Sequence, residues 1–194
     1  GQTEEEVLVA AEGAGLQLCP DTAENACVLP RVMRQASVRE EVELGYGKPA
    51  VGAVIRASAS AQVTDYKAIT GKLVTKGEIT VKVVYQCEED AKKLEVMESA
   101  LPLSQVIDLD GVDEDCSCSV WYEVCSLDVT PKANADGENR AFTLDVSLNA
   151  CASAYRRMQL DAVCDCYSTS YECKPTVRQV PLLRLIDTVD ETCM

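Results

Sequence analysis

Eleven cysteines and no histidine set the chemistry open to this chain of 194 residues. Histidine is the commonest general base and metal ligand near neutral pH. Its absence excludes Ser-His-Asp and Cys-His mechanisms and every zinc site that uses imidazole. The cysteines leave three readings. Cys116-Ser117-Cys118 and Cys164-Asp165-Cys166 are two Cys-x-Cys pairs. Residues i and i+2 of a strand share a face, so these four thiolates, on neighbouring strands, would suit a tetrahedral zinc ion. Structural zinc sites more often use Cys-x2-Cys knuckles, so no metal is expected, and Cys116, Cys118, Cys164 and Cys166 are the set that would overturn this. Disulfides are the second reading. Core packing is the third and the expected one, because Cys87, Cys118, Cys164 and Cys166 share parity with the apolar positions of their strands and a buried thiol behaves as a small hydrophobe. An odd count in a chain this long points to a reducing compartment with mostly free thiols.

Other chemistry is thinly represented. Asp108, Asp110, Asp113, Glu114 and Asp115 form an acidic cluster, which hard cations such as calcium favour. The EF-hand register fails there: Gly111 falls two positions early and no Glu closes the loop. A solvated acidic loop is the expectation. Gly71-Lys72 is no phosphate loop, since Tyr66 and Leu73 stand where Gly and Ser or Thr are required. Gly-x-Gly-x-x-Gly and Gly-x-Ser-x-Gly do not occur. These absences predict a non-enzyme with no cofactor and no catalytic residues. The net charge of −14 argues against nucleic acid and anionic membrane surfaces as partners. No apolar run approaches the ~20 residues that span a bilayer, so no membrane insertion is expected.

The elements that would carry these residues read as strands. Aromatics are only 5% of the chain, so the core must come from Val, Leu, Ala and Cys. Val51, Ala53, Ile55, Ala57, Ala59, Ala61 and Val63 alternate with more polar positions. The same period of two recurs at Ile79–Tyr85, at Phe142–Ala150, and within 118–126 and 159–167. Residues 28–44 read as an extended strand or a short helix, and a strand near 6–11 is possible. Turns are expected at Thr70-Gly71-Lys72, Asp110-Gly111 and Asn134-Ala135-Asp136-Gly137, where Gly and Asp supply positive φ. The predicted fold is all-β: a β-sandwich or open barrel of mostly antiparallel strands with little helix. Residues 1–45 read as a lead-in left from an upstream repeat, 46–174 as the β domain, and 175–194 as a linker or the start of a following repeat. Leu183–Glu191 weakly echoes Leu29–Glu40, as a tandem array would.

Four blocks in order give the β domain a family likeness. They are Ile69–Tyr85, read as a central hairpin; Leu101–Val112, where relatives often carry an aromatic at the position of Leu103; Asp136-Gly137-Glu138-Asn139-Arg140 before a long alternating strand; and Asp165-Cys166-Tyr167-Ser168. Through them the stretch from Val51 to Tyr167 resembles the SPOCS domain of SipL-like proteins of endospore-forming clostridia. The resemblance implies sporulation, a start in the mother-cell cytoplasm and an end at the forespore or spore surface. It implies protein partners in the spore envelope, self-association, and peptidoglycan binding through a LysM domain that this chain lacks. It brings no catalytic residues, and the cysteine content departs from many members.

Three functions follow. The first is a scaffolding or interaction module of the spore coat and cortex. The second is a peptidoglycan- or carbohydrate-binding β-sandwich, for which Trp121 is the candidate contact. Trp121 has the opposite parity to Val120, Tyr122 and Val124, so it either faces solvent or fills the core on the other side; the core position is expected. The third is a Cys-based redox or zinc module.

Overall fold

The computed structural model describes residues 15–174, 176 and 179–183, and every regular element among them is a strand. The strands are β1 (Leu16–Val28), β2 (Val32–Glu43), β3 (Val51–Ile69), β4 (Lys72–Cys87), β5 (Leu94–Asp108), β6 (Ser117–Ala133) and β7 (Asn139–Ser168). They form two sheets. One has β7 at its centre, paired with β1, β2 and β6; the other runs β3-β4-β5. The pairings with resolved register are antiparallel, as expected. Residues 28–44, left open between strand and helix, supply β2, whose Val32–Glu43 pairs with Ala152–Ala141 of β7.

The chain divides into two compact units, Leu29–Ala154 and Gly1–Val28 with Tyr155–Met194. This cuts the sequence differently from the division at 45 and 174. Val32–Glu43 joins the larger unit because its ladder to β7 is unbroken. Tyr155–Ser168 goes with Leu16–Val28 because the two pair along their whole length. The strand proposed near 6–11 and most of the Leu183–Glu191 echo lie outside the described residues.

The larger unit is a sandwich whose core follows the period of two. Leu73, Ile79, Val81, Val83 and Tyr85 of β4 and Leu101, Leu103 and Ile107 of β5 are buried, as are Phe142, Leu144, Val146 and Leu148 of β7. Burying one such side chain contributes about 1.5–3 kcal/mol, so the alternation itself selects the buried face. Tyr85 and Phe142 meet edge to face with ring centroids 5.6 Å apart, which joins the two sheets.

β3 departs from simple alternation. Its pairing with β4 skips a residue between Val51 and Ala53, between Val54 and Arg56, and between Val63 and Asp65. Each bulge flips the parity that follows it. Ile55, expected inside, is therefore 56% exposed, while Val54 packs against the core. Beyond that bulge Ala57, Ala59, Ala61 and Val63 line the interior, in agreement with the sequence.

The three expected turns form. Gly71, Gly111 and Gly137 have φ of 76°, 83° and 84°, a region costly for residues with a Cβ. Two of the turns are tied together: Gly71 N donates to Val112 O at 2.8 Å and Leu109 N donates to Gly71 O at 3.0 Å.

The smaller unit pairs Leu16↔Ser168 through Val28↔Tyr155. Among its described residues Ala26 is the only buried hydrophobic one. A two-stranded ribbon with so little core is marginal in water by itself.

Candidate interaction surface

The sandwich draws its own sheet edges together. The Tyr66 hydroxyl on β3 donates to the Cys118 carbonyl on β6 at 3.0 Å. Arg34 on β2 donates to the Val106 carbonyl on β5 at 3.0 Å and lies 3.7 Å from the Asp108 carboxylate. Such links cover backbone that would otherwise invite pairing.

β1 is different. Its inner side pairs with β7, and its outer side meets the chain again at Leu183. Ala26 N donates to Leu183 O at 2.8 Å, and Leu183 N donates to the Asn25 side-chain oxygen at 3.1 Å. A shallow groove of about 320 Å³ lies here, bordered by Glu24, Ala26, Arg157, Met158 and Leu183. Further along, Thr22 N donates to Oδ1 of its neighbour Asp21 at 2.8 Å. Outward N–H groups recur every second residue, so Thr22, Glu24 and Ala26 form one outward row. Exposed Val28, Met158, Tyr167, Tyr171 and Leu183 stand in the same unit. This edge could not be located from sequence, because alternation reports faces and not strand order.

Trp121 is not in the core. It is half-buried on the sandwich surface, with the Arg31 guanidinium 4.5 Å from its ring centroid. Its Nε1 donates to Glu123 at 2.8 Å, and the same carboxylate oxygen pairs with Arg31 at 3.3 Å. The ring thus has one face covered and its polar atom engaged, which leaves a reduced platform for a sugar. The outward side of the strand accommodates it because Arg31 precedes β2 and reaches across.

The acidic cluster is a capped loop. Asp113 Oδ1 accepts from Asp115 N at 3.2 Å and from the Cys116 thiol at 3.2 Å. Asp108 is shared between Arg34 and Lys72, at 3.7 and 3.6 Å. Among the described residues no three Cys, Asp or Glu side chains gather as metal ligands. Cys116 and Cys118 belong to the sandwich and Cys164 and Cys166 to the smaller unit.

The thiols also correct the packing expectation. Cys87 is buried as parity predicts, and so is Cys151, which the sequence reading did not single out. Cys118 is half-buried and packs against the core, as expected, whereas Cys166 is half-buried in the smaller unit and Cys164 is exposed. Parity fails for Cys164 because the β1–β7 register shifts at Cys19/Pro20, opposite it. Burial pushes the Cys118 thiol up, with Cys116 and Asp113 adding to this, the opposite of what activates a thiolate.

With this geometry in place, the comparisons bear on family. A protein-family model described as SipL, SPOCS domain matches residues 50–132. The match takes in β3, β4, β5 and nearly all of β6, including the blocks Ile69–Tyr85 and Leu101–Val112 on which the resemblance rests. The blocks at 136–140 and 165–168 fall outside the matched stretch. No curated protein and no solved structure matches the chain.

Proposed function

We propose that this chain, in which residues 50–132 carry the SipL-type SPOCS domain linked to sporulation, is a non-catalytic interaction module that scaffolds assembly of the spore envelope. The observation that carries the reading is that match; beside it, outside the matched stretch, the outer edge of β1 takes up another part of the chain through a main-chain bond from Ala26 N to Leu183 O. Strand addition gives affinity through main-chain bonds and needs no deep pocket. In support, the residues that attracted chemical readings are engaged otherwise: Asp113 caps its loop, Trp121 lies under Arg31, and Cys87 and Cys151 pack inside.

The partners in this reading are envelope proteins and further copies of the chain. Work begins in the mother-cell cytoplasm and ends at the forespore surface. Deleting the gene in an endospore former tests it. Spores with a detached or incomplete coat are expected; fully resistant spores of normal structure would count against it. The peptidoglycan-binding reading makes its own forecast, saturable co-sedimentation of the purified chain with peptidoglycan sacculi. The proposal expects none from this chain alone.

A further inference from the structure

The cysteines divide by the company they keep. In the sandwich, the thiols whose contacts are resolved point to oxygen: Cys116 to Asp113, Cys118 to the Cys116 carbonyl and Cys125 to the Glu123 carbonyl, while Cys87 and Cys151 are buried. In the smaller unit two pairs of cysteines adjoin. Cys166 Sγ and Cys173 Sγ are 3.6 Å apart. Ser168 Oγ accepts from Ser170 N at 3.2 Å and Tyr171 N at 3.3 Å, a turn that carries the chain after β7 back toward Cys166. Cys19 lies on the neighbouring strand, where its carbonyl accepts from the Cys164 thiol at 3.1 Å. The register shift at Cys19/Pro20 produces this meeting, because Cys164 is the residue of β7 left without a partner in the ladder.

These contacts occur in the unit that has a single buried hydrophobic residue, Ala26, among its described residues. Small units that cannot build a core are the ones covalent links stabilise most.

We infer that the smaller unit is a site of oxidative cross-linking, closed by the disulfides Cys19–Cys164 and Cys166–Cys173, and that the five cysteines of the sandwich stay reduced under the same conditions. The oxidant is a small-molecule disulfide of the glutathione class. The more exposed Cys173 loses its proton to solvent and attacks one sulfur of oxidised glutathione. The glutathione S–S bond breaks, one reduced glutathione leaves, and a mixed disulfide remains on Cys173. Cys166 then loses its proton, attacks the Cys173 sulfur and expels the second glutathione. Two protein thiols are oxidised by two electrons, and one disulfide is reduced to two thiols. Cys19 and Cys164 react in the same sequence.

The test is a disulfide map of the whole chain after equilibration with oxidised and reduced glutathione, alkylation and cleavage before Asp. Asp21 separates Cys19 from Cys27, and Asp165 separates Cys164 from Cys166. The expected map joins Cys19 to Cys164 and Cys166 to Cys173, with Cys87, Cys116, Cys118, Cys125 and Cys151 alkylated once the chain is denatured. Oxidation is expected to slow proteolysis within 155–174 by about tenfold. In Cys173→Ser, Cys166 becomes alkylated and the Cys19–Cys164 link persists. Any other pairing, Cys193 included, overturns the assignment. So does a chain whose thiols all remain alkylatable in excess oxidised glutathione, or a Cys173→Ser variant in which Cys166 finds another partner.

Discussion

The hydroxyl of Tyr122 on β6 lies 2.7 Å from Oγ1 of Thr75 on β4, a hydrogen bond that crosses the sandwich from one sheet to the other. Thr75 is the only buried polar residue among those described, and its other contact is the Gln105 carbonyl at 3.3 Å. Gly77, two residues on, makes the approach possible: a Cβ there would collide with the Tyr122 ring and the Gln62 carbonyl. Gly77 is thus required by close packing, in a strand where glycine is otherwise unfavourable.

Two substitutions measure this relationship. Tyr122→Phe removes the cross-sheet bond and is expected to cost about 1–2 kcal/mol in urea unfolding. Gly77→Ala forces the ring or the β3 backbone aside and is expected to cost about 1–3 kcal/mol. Their effects should fall short of additive when combined, since both act on the seating of one ring. Full additivity would contradict the shared cause.

The second prediction concerns pH. Lys48 Nζ is 2.8 Å from Glu95, and Lys93 Nζ is 3.5 Å from the same carboxylate. The Lys48 hydrogen bond, opposed in part by burial, holds the Glu95 carboxyl below its usual 4.5. The same bond raises the Lys48 ammonium above 10.5. A lowered carboxyl value stabilises the fold above the unfolded value and loses that contribution as pH falls through the folded one. A raised ammonium value stabilises below the unfolded value and loses it as pH rises through the folded one. The difference between wild type and Glu95→Gln in urea midpoint should therefore be largest between these limits and shrink below about pH 4.5. A difference that stays constant down to pH 3 would contradict this.

The third prediction uses the single tryptophan. Arg31→Ala uncovers one face of Trp121 and frees Glu123. Its emission should shift to the red and become more open to acrylamide, while stability changes by under about 1 kcal/mol, as for exposed cation–π and ion pairs. An unchanged spectrum would mean that Arg31 does not cover the ring in solution.

The fourth addresses the β1 edge. Glu24→Pro removes an outward N–H without removing a bond to β7, and Glu24→Lys exchanges the carboxylate for the lysine that edge strands favour against pairing. Sedimentation velocity over a concentration series should show association of the wild-type chain that both variants weaken, with strand content by circular dichroism retained. Association that both variants leave intact would move the contact elsewhere.

The sandwich was legible in the sequence where burial on one face was uninterrupted. Phe142, Leu144, Val146 and Leu148 could be read directly, and so could the turn glycines at 71, 111 and 137, whose conformation few other residues tolerate. Legibility stopped at register shifts. Ile55 and Cys164 carry the right parity by counting and the wrong one after a bulge, and a bulge leaves no period-two signature. β2 was ambiguous because the charged Arg34 and Glu40 share parity with its inner residues Val32, Ala36, Val38 and Val42, which are themselves only half-buried. Trp121 lies outside the core because Arg31, from the connection before β2, covers one face of its ring, which counting along β6 does not reveal. The candidate surface was the least legible part, since the partners across β1, such as Ala26 and Leu183, are far apart in sequence and joined by backbone atoms common to every residue.

The most direct measurement is the position of a fluorescent fusion of this chain in sporulating cells of an endospore former, with expression confined to the mother cell. The account predicts a shell at the forespore surface that is lost or thinned by the Glu24→Pro and Glu24→Lys variants. Fluorescence spread evenly through the mother cell, at normal expression and with an intact fusion, would contradict it.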